Sequence, residues 1–262
     1  MTNRSALSRL AYLALVLLVL LFLAVPILII VPMSFSDSRF LAFPPPGYSL
    51  RWYEAFFGNA DWLDAARTSL TVALLATLLA TPAGFMAAYA MHHSRLRAMK
   101  WLRTMLLLPL MVPIIIVAIG VFFVYARIGL VATLPGLVVA HAMLGLPYVV
   151  IAVSAGLAGF DATQEMVARS LGMNRLRSVL TVTLPQIRPS VVSGAVFAFI
   201  SSLDETIVSL FIAGGDNQTL TKRMFTTLRD EIDPTIAAIS VMLTATSFLL
   251  VLVVIGLQRK KA

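Results

Sequence analysis

Six apolar runs divide this chain of 262 residues, and each is long enough to cross a lipid bilayer as a helix. They lie at approximately Leu10–Pro32, Thr68–Met91, Leu102–Ala126, Val131–Leu157, Ser190–Ala213 and Thr235–Leu257. A hydrocarbon core about 30 Å thick is spanned by roughly 20 apolar residues in an α-helix. Composition agrees, with 12% of the residues charged, against about 25% in a soluble domain, and a mean hydropathy of +0.93. The expected fold class is an all-α polytopic membrane protein with six transmembrane helices. The first run follows Arg4 and Arg9 as a signal peptide would, but it is too long and lacks a small-residue cleavage site. It is read as a retained helix.

The net charge of +8 and the pI of about 10.3 would by themselves suit a nucleic-acid partner. The basic residues, however, cluster at the ends of apolar runs rather than in a patch interleaved with aromatics. On one side fall Arg4, Arg9, Arg95, Arg97, Lys100, Arg103, Arg169, Arg175, Arg177, Arg188, Arg259, Lys260 and Lys261. On the other fall Arg39, Arg51, Arg67, Arg127, Lys222, Arg223 and Arg229. The richer side is the cytoplasmic one, which predicts a multi-pass protein with both termini in the cytoplasm. The absence of cysteine excludes disulfides, thiol catalysis and cysteine metal sites. No Walker A sequence or nucleophile–base pair occurs, so no enzyme is expected.

The outer loops have a texture of their own. Between the first two runs, FPPPGYSLRWYEAFFGNADWLDAA opens with a proline run that cannot be helical. It continues into an amphipathic stretch whose Trp52, Phe56, Phe57 and Trp62 suit the membrane interface. Between the fifth and sixth runs, GGDNQTLTKRMFTTLRDEIDP is polar and starts with a glycine pair.

One inner loop interrupts the apolar pattern with EMVARSLGMNRLRSVLTVTLP, residues 165–185. Asp161 followed by Gln164 makes a capping-box pattern that starts a short helix. Gly172 can take the left-handed conformation that closes it, and Asn174 is a good N-cap for a second helix ended by Pro185. Met166, Val167 and Leu171 on the first helix, and Leu176, Val179 and Leu180 on the second, are apolar at helical spacing. The product is a helix–turn–helix elbow with a greasy side and a charged side. On patterning alone it reads equally as a surface helix pair that merely connects two spans.

The elbow resembles the EAA loop of ABC importer permeases, a Glu–Ala–Ala stretch followed at fixed spacing by Gly and then by Ile/Val-x-Leu-Pro. The matching residues here are Glu165, Ala168, Gly172, then Val182, Leu184 and Pro185, continued by Arg188 and Pro189. The sequence departs from that pattern at Met166 and Val167, which puts Glu165 one residue early. Further stretches, TSL at 68–70, SLDETIVSLFIAG at 202–214, QTLTKRMF at 218–225 and DPTIAAIS at 233–240, are similar to the spermidine/putrescine (PotC-like) branch. Thr221 stands where that branch commonly has proline.

The resemblance covers nearly the whole chain and implies the type I ABC importer permease (MetI-like) fold. It implies one permease domain over 1–262 with its core at 66–258, a coupling loop at 161–185, and periplasmic loops at 35–66 and 214–234. The location implied is the bacterial inner membrane. The partners implied are a PotB-like second permease, two copies of a cytoplasmic ATPase that binds ATP and Mg, and a periplasmic substrate-binding protein. No cofactor is expected in this chain. Glu165, Ala168, Arg169, Gly172, Leu184 and Pro185 are the coupling residues, with Glu165 and Arg169 about one turn apart on a face open to the ATPase.

Substrate passage points to the fifth run, the only one that contains acids. Each costs roughly 2.5–3.5 kcal/mol at the centre of a membrane helix, so Asp204 and Glu205 should face a cavity, a partner or each other. Ser202, Glu205 and Ser209 follow at i, i+3 and i+7, a polar stripe that reads either as pathway lining or as a structural contact. No basic residue near the middle of the runs could neutralise both acids. Tyr148 could stack on a cationic cargo, whereas His141 reads as a hydrogen-bonded packing residue. Gly84, Gly120, Gly145 and Gly156 read as sites of close helix packing. Two alternatives remain at this stage. One is a related permease for another small solute, such as a phosphonate, an opine or ferric ion. The other is an ATP-independent secondary transporter, which would explain the acids but not the elbow.

Overall fold

Two of the six apolar runs are interrupted, and only one of the interruptions falls at a proline. The structure, a computed structural model, describes residues 6–94, 96–231 and 233–259. Arg4, Arg95, Lys260 and Lys261, used above for orientation, lie outside the described residues. The described chain is helical apart from loops and two isolated bridges, Ser36 with Tyr48 and Gly214 with Asn217. The helices are α1 (Ala6–Ser34), α2 (Arg51–Gly58), α3 (Ala60–His93), α4 (Ala98–Met111), α5 (Ile114–Ile128) and α6 (Leu134–Ala158). After them come α7 (Ala162–Ser170), α8 (Arg175–Ser178), a π-helical turn (Val179–Thr183), α9 (Leu184–Asp204), α10 (Ile207–Ile212), α11 (Leu220–Asp230) and α12 (Thr235–Arg259).

Four of these, α1, α3, α6 and α12, are long and apolar enough to cross a membrane unaided. The other two expected spans are not uninterrupted helices. The third is divided into α4 and α5, which meet at 106°. Pro113 is the cause, because proline drives the residue before it out of the helical region, and Val112 is extended at ψ 136°. The fifth is divided between α9 and α10, with Glu205 extended at ψ 111°.

Pro185 does not end the second elbow helix as expected. The chain stays helical from Arg175 through the π turn into α9, with Pro185 in the first turn of α9. A proline inside a helix removes a hydrogen bond and clashes with the carbonyl four residues back. The π turn relieves this by widening the ladder, with the Leu184 N–H bonded to the Val179 carbonyl five residues back.

The chain divides into two compact units, residues up to 60 with 227–245, and residues 61–226 with those from 246 onward. In the first unit the Ser34 hydroxyl donates to the Val31 carbonyl (2.7 Å) and shares a hydrogen bond with the Tyr53 hydroxyl (2.9 Å). The Ser49 N–H donates to the Phe35 carbonyl (2.6 Å), closing the proline-rich loop onto the end of α1. Asp233 caps α12 by accepting from the Thr235 N–H (2.8 Å).

The second unit is organised by small residues. On α3 the buried positions Ala65, Ser69, Ala73, Ala76, Ala80, Gly84 and Ala88 form one stripe, which lets backbones approach closely. Added β-carbons at Gly84, Gly145 and Gly156 would meet Val149 at 2.7 Å, Ala198 at 3.1 Å and Ser190 at 2.5 Å. Gly120, expected to behave likewise, has nothing within 4 Å. One core cluster joins Ala76, Ala80, Ala88 and Tyr89 of α3 to Val149, Val153 and Leu157 of α6 and Ile187 and Ala198 of α9. A second joins Ala118 and Tyr125 of α5 to Leu137, Ala140 and Leu144 of α6 and Val208 and Ile212 of α10. Trp62, expected at the membrane interface, is buried instead. Arg223 lies over its ring at 4.9 Å and bonds Asp61 at 2.9 Å.

Candidate functional site

The elbow forms where its caps dictate. Asp161 accepts from the Thr163 N–H (2.9 Å), and hydrogen bonding from the Thr163 side chain first, and then from its backbone, holds its carboxyl below the usual carboxylate range. The reciprocal half of the capping box is replaced by a bond from Gln186 to the Gln164 side chain (2.5 Å). Asn174 accepts from the Arg177 N–H (2.8 Å) to start α8. Between the two caps Gly172 turns the chain at φ +92°.

Five of the six residues on the greasy side of the elbow are turned outward, while Val179 is buried in the core. Met166, Val167, Leu171, Leu176 and Leu180 are all exposed, Leu171 to 80%. Arg169 and Pro185 are exposed too, Leu184 is half-buried and Ala168 is buried. Glu165 is the correction. Expected beside Arg169 on the open face, it points inward and is 4% exposed. The Tyr89 hydroxyl donates to its Oε1 (2.5 Å) and the Thr183 hydroxyl to its Oε2 (2.9 Å). His93 Nε2 stands 3.6 Å from Oε2, and its Nδ1 bonds the Tyr89 carbonyl (3.1 Å). Arg175 covers the Tyr89 ring at 5.3 Å. One carboxyl group thus gathers α3, α7 and the π turn.

The break between α9 and α10 builds a second site. Glu205 turns its side chain back to accept from the Val208 N–H (2.6 Å), capping α10, while its carbonyl accepts from the Thr221 hydroxyl (2.8 Å). Proline at position 221 could not make that bond. The expected stripe is thereby divided. Ser202 and Ser209 are buried and bond the two ring nitrogens of His141, Nδ1 at 2.8 Å and Nε2 at 3.1 Å. His141 so clasps the helices on both sides of the break. Asp204 and Glu205 instead line an open cavity of about 350 Å³ with Tyr148, Phe197, Ile200 and Ser201, and no lining residue is basic.

The family described as "Binding-protein-dependent transport system inner membrane component" matches residues 80–260, an interval that holds both the elbow and the break. The chain belongs to that family. It is 31% identical over 239 residues to the spermidine/putrescine transport system permease protein PotC of Haemophilus influenzae, covering 91% of this chain and 93% of that one. It is 28% identical to the putrescine transport system permease protein PotI of Escherichia coli K12, covering 85% of this chain and 81% of that one. Among solved structures, a bacterial ABC transporter that imports the acidic polysaccharide alginate aligns with a TM-score of 0.71 at 16% identity. That alignment covers 99% of both chains and establishes the permease fold.

Three residues of this permease's elbow network carried no usable sequence signal. Tyr89 is separated from Glu165 by 76 residues, and Thr183 from it by 18. His93 read only as the end of a span. The break at Glu205 had no clear local signal either, since the N-cap of α10 is Thr206 and Glu205 reaches the Val208 N–H from the residue before it.

Proposed function

We propose that this permease is one of two membrane subunits of an ATP-driven importer for polyamines such as spermidine and putrescine. Its termini lie in the cytoplasm. A PotB-like permease completes the pathway, two copies of an ATPase bind ATP and Mg and hydrolyse the nucleotide, and a periplasmic protein delivers the cargo. The elbow docks on the ATPase through its exposed apolar face, with Gly172 setting the turn and Arg169 at the rim. Because α8 runs without a stop through Leu184 and Pro185 into α9, a push on the elbow reaches the pathway helix directly. Alternating access then follows as rigid-body rocking of one permease against the other.

The observation that carries the choice of cargo is the cavity, where Asp204 and Glu205 face open space beside Tyr148 with no basic residue in the lining. Two carboxyl groups offer a passing polycation counter-charges it can touch and leave, and Tyr148 adds an aromatic face for an ammonium group. The test compares Asp204→Asn and Glu205→Gln, which keep size and hydrogen-bonding capacity. Uptake, normalised to assembled complex, should fall more for a triamine than for a diamine, while affinity of the binding protein for cargo stays unchanged. Equal slowing of both cargoes together with poor assembly would make the acids structural and sink the polyamine reading.

A further inference from the structure

Glu165 lies outside the surface offered to the ATPase, yet it is the best-connected polar group of the elbow. We infer that Glu165 is a positioning residue that ties the elbow to α3, so that ATPase motion drives α3 together with α9. The inference rests on the proposed docking of the elbow and adds the route by which its motion spreads. The juxtaposition that carries it is a buried carboxyl of α7 bonded at one oxygen to Tyr89 of α3 and at the other to Thr183 of the π turn.

Each element of the network has a reason to be where it is. Tyr89 and His93 are one turn apart on the last turns of α3, with their rings 4.1 Å apart between centroids and tilted by 33°, so both reach the same side. The bond from His93 Nδ1 to the Tyr89 carbonyl fixes the imidazole with Nε2 toward Glu165. Thr183 ends the π turn and is fully buried. A π turn changes the facing of the residues that follow it relative to an α-helix, and here it accompanies a hydroxyl turned inward onto Glu165. Besides the short covalent link back to α6, the elbow therefore has two connections into the membrane. One is covalent, through the π turn to α9. The other is the carboxyl bridge to α3, whose buried small-residue stripe packs against α6 and α9. With Glu165 absent, α7 could swing on the Gly172 turn without moving α3.

The absence of cysteine in the chain makes the test direct. Spin labels at Ala90→Cys on α3 and Ser170→Cys on α7, both exposed positions, report the distance between the tied elements in the complex purified with its partner proteins. In the parent chain this distance should stay the same with and without ATP. In Tyr89→Phe, which removes one hydroxyl and keeps the ring beneath Arg175, it should broaden on ATP binding. ATP hydrolysed per cargo molecule imported should rise above the parent value. Glu165→Ala should act in the same direction, and Glu165→Gln, whose amide can still accept from Tyr89 and donate to Thr183, should restore coupling.

If Glu165→Ala does not assemble, Tyr89→Phe decides alone. An unchanged distance and an unchanged ATP-to-cargo ratio in Tyr89→Phe overturn the tie. A ratio that stays constant while only the amount of complex falls also overturns it, because Glu165 would then be structural. Failure of the docking reading has a separate mark. The tie variants should retain the ATPase in co-purification, whereas Leu171→Asp with Leu176→Asp should lose it. Retention in the latter pair would overturn docking, and the tie with it.

Discussion

Gly172 sits at φ +92° with nothing within 4 Å of where a β-carbon would be. Space is therefore not its constraint; backbone conformation is. A β-branched residue there meets the left-handed penalty, about 1–2 kcal/mol. Gly172→Val should strain the elbow without disturbing the membrane helices. The expected outcome is a complex of normal thermal stability whose ATPase activity is less tightly linked to uptake, read from ATP consumed per cargo molecule. Normal coupling in that variant would mean that the turn tolerates reshaping. Glu165, seven residues earlier, carries the opposite lesson. Its surroundings are fully specified, and the backbone around it is ordinary helix.

At the scale of elements, the two interrupted apolar runs are broken by different physics. Pro113 forces α4 and α5 apart through its missing N–H and its steric effect on Val112. The α9–α10 break has no proline and is held by hydrogen bonds, with Glu205 capping α10, Thr221 bonding the Glu205 carbonyl and His141 clasping Ser202 and Ser209. His141 is 2% exposed, so removing its nitrogens leaves two buried hydroxyls without partners. His141→Phe should destabilise the assembled permease by about 1–3 kcal/mol, visible as a lower melting temperature. It should slow every cargo alike, in contrast to the charge-graded effect expected at Asp204 and Glu205. A cargo-dependent effect of His141→Phe would place the imidazole in the pathway instead.

For the whole molecule, the decisive fact is how much apolar surface is left uncovered. The apolar window of α1 has a hydropathy of 3.4 and is 0% buried. Leucines such as Leu10, Leu18 and Leu23 are each more than 60% exposed. A helix apolar on all sides is stable only where lipid or another protein surrounds it. Expressed with a second permease subunit, the ATPase and the binding protein, the permease should assemble and transport, and leaving out only the second permease should abolish both. A transport-competent homodimer, detected by mass and by uptake in proteoliposomes, would refute the two-permease reading.

Much of this architecture could be read locally. The apolar runs, the Asp161 and Asn174 caps and the Gly172 turn act within a few residues of themselves, so the sequence by itself determined an all-α membrane chain with an elbow of this shape. The family resemblance was equally legible, because it rests on spacing along the chain. What only the tertiary structure decided was direction. Successive residues on a helix face about 100° apart, so a single-residue change of phase separates an inward Glu165 from an outward Met166, and no local rule chooses between them. The choice came from Tyr89 and Thr183, brought in by helix packing. The same holds for Ser202 and Ser209, which joined Glu205 in one stripe only if the helix was continuous. Once Glu205 capped α10, the two serines turned to His141, 61 and 68 residues away in the chain, and the acids were left facing the cavity.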